Sequence, residues 1–325
     1  MIGAFGALLA VVVVVAPLAG TTHISLARVF DRSHPFADNV DAQIFFIARL
    51  PRVAAAALVG AGLATAGVVF QALLRNPLAA PETLGVSMGA SLGAMIAITL
   101  APDFSVGGLT AVPLAAFAGS LGALAIVYTL SRARSRGMSS TVLLLGGIVL
   151  MTFLGAIINF IQYLADFTQT FRTVRWLMGS LDVGSYAPIG AALVPAGLAA
   201  IGYATLPRTL DLMTLGPEAA ATRGVDVARA ERVALVTASL STGAAVSLGG
   251  PIGFIGIVVP HLVRLMVGAD HRLVLPGAAL FGAAFLIGCD LVARTAFAPI
   301  ELPVGIVTAM IGGPFFLWLL LRRTP

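Results

Sequence analysis

The chain has 325 residues, of which 59% are hydrophobic and 10% are charged, and it carries a formal net charge of +5. Its mean hydropathy is +1.02. A soluble globular chain carries roughly a quarter charged residues, so too few polar side chains are present here to cover a water-facing surface. The composition excludes an ordinary soluble domain and indicates a protein embedded in lipid.

Long apolar segments recur along the chain. A helix that crosses a bilayer needs about 20 mainly apolar residues, and its backbone must satisfy its own hydrogen bonds. The segments are rich in Ala, Leu, Val and Gly and lack the alternating polarity of barrel strands. We therefore predict an all-α membrane protein, a single transmembrane domain over 1–325, with about ten spanning helices at 2–20, 53–74, 84–101, 108–130, 141–165, 187–206, 233–250, 252–267, 273–296 and 302–321.

Two of these segments are unusual. The first has no positive charge before it and is long for a signal peptide, so we expect it to be retained as a helix. The eighth, 252–267, is short and carries Pro260, His261 and Arg264. We expect that helix to be broken or shallow.

The arginines predict the orientation of the helices. All nineteen basic residues are arginine, so the chain lacks the lysine that a Walker A nucleotide site requires. With a cytoplasmic N-terminus and alternating helices, twelve arginines fall inside and seven outside, in agreement with the positive-inside rule. The outer set is larger than usual and consists of Arg28, Arg32, Arg49, Arg52, Arg172, Arg175 and Arg294.

Three connections between the spans are long enough to carry a function. Residues 27–48 form a polar outer connection, and 166–186 suit a short surface helix. The segment 207–231 is the sizeable cytoplasmic connection. In it Gly216-Pro217 opens a helix, with Glu218 in the first turn, where the helix dipole favours an acid, and Gly224 is placed to end it. We interpret this segment as a compact docking element.

The sequence offers little for catalysis or for a metal site. Neither an HExxH nor a CxxC pattern is present, and Cys289 is the single cysteine. We expect His261 and His271 to be explained by surface packing near the inner face. The sequence therefore predicts no catalytic residue, no metal and no cofactor, so a membrane enzyme ranks last among the possible functions.

Transport fits the sequence better than catalysis. The source of energy distinguishes a secondary carrier from a transporter that is driven by a separate subunit. Secondary carriers usually keep ionisable groups within their spans, whereas most spans here have none. Asp290 and Arg294, spaced i,i+4, are the main exception and can form a local ion pair. Asn159 and Gln162 can either polarise a cavity or tie helices together. These features favour the membrane half of a transporter energised by a separate subunit, with a secondary carrier or channel as the alternative.

Three blocks of sequence resemble a known family. They are Arg49-Leu-Pro-Arg52 with LVGAGLATAGVVFQALLRNPLAAPETLGVSMGASLGA (58–94), PIGFIGIVVPHLVRLMVGADHRLVLPGAALFGAAFL (251–286) and CDLVARTAFAPIELPVGIVTAMIGGPFFLWLL (289–320). In order and spacing they resemble the FecCD or BtuC-like permeases of type II ABC importers for iron chelates, haem and vitamin B12. The likeness covers nearly the whole chain.

The resemblance implies a fold and a set of partners. It implies ten spanning helices in the inner (plasma) membrane, both termini in the cytoplasm, and a second permease copy, identical or similar. It also implies two ATPase subunits inside and a periplasmic substrate-binding protein outside; no nucleic-acid partner is expected. Among the substrates, NPLAAPETLGVS favours a ferric siderophore, then haem, then vitamin B12.

The resemblance also assigns roles to residues. Arg49, Arg52 and Arg294 correspond to arginines that pair with glutamates of the binding protein, and snorkelling interfacial anchors are the alternative. The segment from Leu215 to Gly224 resembles a coupling helix that fits a cleft on the ATPase. Its candidate contacts are Leu215, Gly216, Glu218, Ala219, Ala220, Arg223 and Gly224. The pathway is expected along 141–165 and the region after it, with Asn159, Gln162 and Trp176 as candidates.

Overall fold

The computed structural model describes residues 1–31, 33, 35–101, 104–106, 108–134 and 140–321. Arg32, His34, Arg136, Arg322 and Arg323 lie outside these residues. The described chain is helical almost throughout, which confirms the predicted all-α class. A two-stranded antiparallel pair, Ser105–Val106 and Leu109–Thr110, interrupts the helices once within the described residues.

The helices follow one another with short connections. They are α1 Ile2–Val15, α2 Leu26–Val29, α3 Val40–Gln43, α4 Leu50–Leu74, α5 Val86–Leu100, α6 Ala111–Arg134, α7 Ser140–Leu164, α8 Phe167–Leu177, α9 Ala187–Thr205, α10 Pro207–Met213, α11 Pro217–Thr222, α12 Val227–Gly249, α13 Ile255–Val267, α14 His271–Thr295 and α15 Val304–Leu321. A 3-10 turn at Phe36–Asp38 precedes α3, a π-helical stretch at Ile44–Arg49 joins α3 to α4, and a second 3-10 turn at Pro81–Leu84 precedes α5.

Ten of the described helices are apolar enough to lie in a membrane, and they differ in whether they are long enough to cross it. Among the described residues, six are long enough to cross it, and they are built on α4, α6, α7, α9, α12 and α14. Four shorter apolar helices, α1, α5, α13 and α15, complete the set. The prediction of about ten is therefore confirmed. The 13 residues of α13 extend only ~20 Å, short of the ~30 Å hydrocarbon core, as expected for the eighth segment.

Two boundaries differ from the sequence expectation. The outer connection predicted at 27–48 is not irregular throughout, because the chain is helical without a break from Val40 to Leu74. The apolar run Ile44–Arg49 continues the helix in a π-helical register, a local widening that is often found near functional sites. The first helix ends at Val15 and not near residue 20, because Pro17 has no N–H with which to continue the helical hydrogen bonds.

The helix α4 forms the centre of the bundle. It packs against α9, α12, α13 and α14. A Cβ atom added to Gly60 would lie 2.2 Å from the carbonyl oxygen of Gly282 in α14, and one on Gly67 would lie 2.1 Å from that of Gly256 in α13. Backbones approach this closely only where side chains are missing, so glycines make this helix packing possible.

The contact of Gly67 in α4 with α13 predicts that a substitution by Ala lowers the stability of the protein. Replacing Gly by Ala in a helix interior normally favours the helix by about 1 kcal/mol. At Gly67 the added methyl group would meet the backbone of α13, so we expect Gly67→Ala to destabilise the protein by about 1–3 kcal/mol. Thermal unfolding of the purified protein in detergent measures the effect. Gly122→Ala in α6, where the new methyl group meets nothing within 4 Å, is the control, and equal melting temperatures for the two variants would contradict this packing.

The turn at Pro81–Leu84 places a carboxylate against α7. A Cβ atom on Gly147 in α7 would lie 2.4 Å from the carbonyl oxygen of Thr83. Beside it, Oε2 of Glu82 is buried and has no hydrogen-bond partner among the described residues. Burial raises the pKa of Glu82 from its ordinary value near 4.5 to about 7.

The raised pKa makes stability depend on pH. The folded state holds the Glu82 proton more tightly than the unfolded state, so this contribution to stability is complete below about pH 4.5 and is lost as pH rises to about 7. Because the amide of Glu82→Gln carries no charge, this variant should melt at a higher temperature than the parent at pH 8 and at nearly the same temperature at pH 5. The exposed Glu218→Gln is the control, and an unchanged pH profile for Glu82→Gln would contradict the prediction.

Candidate functional site

One end of the bundle carries a group of charged side chains that we call the arginine–carboxylate cluster: Arg49, Arg52, Asp290, Arg294 and Glu301. Nε of Arg52 donates to Oδ1 of Asp290 at 2.8 Å, and its Nη1 donates to Oε2 of Glu301 at 2.6 Å. The predicted pair of Arg294 with Asp290 is present as a looser contact of 3.6 Å. The cluster thus joins the start of α4 to the end of α14.

Two arginines of the cluster hold the end of α1. Nη1 of Arg49 donates to the carbonyl of Pro17 at 3.0 Å, and its Nη2 donates to the carbonyl of Thr22. Nη2 of Arg294 donates to the carbonyl of Ala16. The last carbonyls of a helix have no partner within the helix, so these guanidinium groups satisfy the backbone where α1 ends.

The structure brings the three predicted docking arginines together around a polar cavity of about 400 Å³. Their exposure differs from what direct docking needs, because Arg49 and Arg294 are only 6% and 3% exposed. Arg52 lies closer to the surface, beside the half-exposed Glu301. Sequence reasoning missed the pairing of Arg52 with Asp290 because 238 residues separate them and no local pattern links them.

The segment 207–231 lies at the opposite end of the bundle. A Cβ atom on Gly216 would lie 3.8 Å from Nη1 of Arg75, which follows the last residue of α4. The 25 residues of α4 extend about 37 Å. That length separates the segment from the arginine–carboxylate cluster.

Local geometry fixes both ends of α11. Gly216 (φ +108°) precedes Pro217 at the helix start. At the other end Gly224 has φ +83°, and its N–H donates to the carbonyl of Ala221 while the N–H of Val225 donates to that of Ala220. This pair of bonds around a left-handed glycine is a Schellman motif. The predicted start and end of this helix are confirmed.

The candidate coupling residues divide into an anchor and an exposed surface. Ala220 is fully buried and Ala219 partly so, whereas Leu215, Glu218, Arg223 and Gly224 are exposed. The helix is therefore seated on the bundle by one small side chain and presents its other face to the surroundings. Its role in coupling stays a prediction.

A buried histidine fastens this segment to α14, and the sequence expectation for it was wrong. His271 is 3% exposed, and its Nδ1 lies 2.5 Å from Oδ1 of Asp211 in α10. The same oxygen accepts the backbone N–H of His271 at 3.1 Å. Surface packing does not explain His271, because Asp211 caps the start of α14 from a distant helix. No group of metal-binding side chains occurs in the described part of the chain.

The three pathway candidates lie on two helices, α7 and α8. Asn159 is exposed and Gln162 partly buried near the end of α7, whereas Trp176 is partly buried near the end of α8. The role of these three residues in a pathway stays a prediction. An open cleft of about 550 Å³ borders the neighbouring Leu177 and Met178, and α15 closes its other side.

The geometry of the cluster predicts that neutralising Asp290 lowers the free energy of unfolding more than neutralising Glu301. Asp290→Asn would leave the buried guanidinium groups without a counter-charge, so we expect a loss of about 3–5 kcal/mol in the free energy of unfolding. Glu301→Gln changes an exposed pair and should cost about 0–1 kcal/mol. Chemical unfolding in detergent measures both, and comparable losses would show that Asp290 does not neutralise the cluster.

Comparison with known proteins agrees with this architecture. The profile of the FecCD transport family matches residues 8–322. The hemin transport system permease protein HmuU of Yersinia pestis is 42% identical over 85% of this chain and 82% of its own length. The cobalamin import system permease protein BtuC of Halobacterium salinarum is 45% identical over 85% of this chain and 72% of its own length.

A solved structure matches over the whole fold. An inward-facing metal-chelate type ABC transporter superposes with a TM-score of 0.86 at 32% identity, covering 99% of both chains. The sequence blocks, the ten apolar helices and this superposition therefore agree. The chain belongs to the FecCD transport family, the membrane-spanning permease subunits of ABC importers for chelates of the siderophore, haem and vitamin B12 class.

Proposed function

We propose that this chain carries a ferric chelate from the periplasm to the cytoplasm, powered by two separate ATPase subunits and supplied by a substrate-binding protein. The observation that carries the proposal is the exposed helix α11, fixed at both ends by glycines, on a permease that has no lysine for a nucleotide site of its own. Energy must then enter through a contact. We place this element and both termini in the cytoplasm.

The ATPase contact is proposed at Leu215, Glu218 and Arg223, the exposed side chains around α11. Because Gly216 and Gly224 fix the ends of α11, the helix transmits a displacement as a rigid body. The bond from Asp211 to His271 passes that displacement from α10 to α14. ATP binding and hydrolysis in the partner would thus move a spanning helix.

The binding protein is proposed to dock on the end that carries the arginine–carboxylate cluster. Arg52 lies nearest the surface, but its Nε and Nη1 already donate to Asp290 and Glu301, so a carboxylate of the binding protein would bind Nη2 or displace the half-exposed Glu301. The burial of Arg49 and Arg294 favours an indirect role, in which they hold α1 against α4 and α14 so that the docking surface keeps its shape. Their bonds to backbone carbonyls argue against lipid-facing anchors.

A second permease copy is proposed to pack beside α7, with the pathway between the copies. One stripe of α7 is buried in the bundle, and the opposite face is exposed although it is apolar, with Leu145, Val149, Phe153 and Phe160 each 60% or more exposed. Lipid also covers exposed apolar faces of spanning helices, so the choice of α7 rests on the family resemblance, which expects the pathway along 141–165. Asn159 lies on the exposed part of α7 and would face the pathway.

The substrate is proposed to be a large iron chelate, with haem and a corrinoid as the closest alternatives. Relatives are named for hemin and for cobalamin, and one from Escherichia coli is named for Fe(3+) dicitrate. The side chains along the cleft beside Met178, such as Ile306 and Met310, are apolar. Apolar walls with few polar groups bind a large solute weakly enough for it to leave.

Uptake in proteoliposomes tests the proposal. Labelled ferric siderophore should enter only when the permease, its ATPase, the loaded binding protein and ATP are all present. Arg223→Glu should lower ATP-driven uptake roughly tenfold, equivalent to about 1.4 kcal/mol in ATPase affinity. Haem and vitamin B12 in parallel assays identify the substrate.

The control for charge reversal is Arg28→Glu, an exposed arginine outside segment 207–231. It should leave ATPase binding unchanged in a co-purification assay. Uptake by the permease alone, driven by an ion gradient, would replace this proposal with a secondary carrier. Equal losses of ATPase binding in Arg223→Glu and Arg28→Glu would show that α11 is not the contact with the ATPase.

A further inference from the structure

A groove of about 460 Å³ opens on the side of the bundle between α9 and α14, with α4 as its floor. Its volume is within the ~300–1,000 Å³ of small-molecule sites. The neighbouring face of α9, with Leu193, Val194 and Leu198 exposed, is apolar and has no partner among the described residues. The groove therefore opens toward the region that lipid occupies.

The walls of the groove are suited to hydrocarbon. Leu58, Ala61, Ala196 and Leu275 supply apolar surface. The hydroxyl groups in the walls all donate to backbone carbonyls, Thr65 to Ala61 at 2.8 Å, Ser241 to Gly62 at 3.0 Å and Tyr203 to Thr237 at 3.3 Å. These hydroxyl protons are thus already bonded within the protein, which leaves the groove an apolar lining.

The groove ends at a cation. Arg272, at the start of α14 and at the same end as segment 207–231, lines it with an exposed side chain. Within the described part of the chain, no carboxylate forms an ion pair with its guanidinium group. The two nearby acids are engaged, since Asp270 accepts the backbone N–H of Arg272 and Asp211 binds His271.

The same construction occurs a second time. A groove of about 340 Å³ between α6 and α12 has Leu121, Leu124 and Leu235 in its walls and ends at the exposed Arg232. Its Ser239 hydroxyl also donates to a backbone carbonyl of its own helix. The grooves flank segment 207–231, because Pro207 lines the first and Arg232 lines the second.

We propose that each groove binds one acyl chain of an anionic phospholipid, whose phosphate contacts Arg272 in the first groove and Arg232 in the second. Along α9 the first groove runs from Ala196 to Ala204, about 12 Å, less than half of the ~30 Å hydrocarbon core. The site is thus confined to the leaflet at the coupling end. Arginine forks match phosphate geometry, and basic sites between spanning helices on the cytoplasmic side are typical of anionic lipid binding.

Native mass spectrometry of the full-length protein, released from detergent with equal amounts of phosphatidylglycerol and phosphatidylethanolamine, tests this proposal. The parent chain should retain two phosphatidylglycerol molecules. Arg272→Gln and Arg232→Gln should each retain one, and the double variant none. Ala200→Phe, which fills the first groove at an exposed position, should also retain one.

The lipid that remains in each single variant shows that the protein is still folded. Arg229→Gln and Leu198→Phe, exposed positions outside both grooves, are the matched controls and should retain two. Retention of both lipids by Arg272→Gln and Ala200→Phe would overturn the proposal. Equal retention of phosphatidylethanolamine by the parent chain would also overturn it. None of these outcomes depends on the transport cycle.

Discussion

The close approach of α4 to α13 and α14 is the contact on which the rest of the fold depends. In lipid the hydrophobic effect does not drive helices together, so association rests on close packing and on hydrogen bonds between helices. At Gly60 and Gly67 the backbones are so near that even a methyl group would collide. The other helices surround α4. The start of α4 and the end of α14 carry the arginine–carboxylate cluster, and their opposite ends lie beside segment 207–231.

The two ends of the bundle are linked through α14. Near its start His271 is bound to Asp211 of segment 207–231, and near its end Asp290 is bound to Arg52. These polar contacts fasten α14 at both ends, although Pro276 removes one backbone hydrogen bond within the helix. In the proposed mechanism, α14 carries a displacement of α11 toward the distant arginine–carboxylate cluster. The proposed lipid sites lie on either side of the same segment, where bound lipid would restrain it.

Some of the candidate site could be predicted because the signal is local. Pro217 and Gly224 mark the start and end of α11 through their own backbone preferences, and the structure places both as expected. The pair of Arg294 with Asp290 was visible as an i,i+4 spacing. The pairing of Arg52 with Asp290 and that of His271 with Asp211 were not visible, since their partners lie 238 and 60 residues apart in the chain.

The sequence by itself determined that this protein lies in a membrane, that it has about ten apolar helices, and which family it resembles, because composition, span length and short motifs are properties of contiguous residues. Only the tertiary structure decided that Arg49 and Arg294 are buried against the end of α1, that helical structure runs without a break from Val40 into α4, and that His271 is buried against Asp211. Burial and contact depend on how helices distant in sequence pack, and one-dimensional patterns do not specify that packing.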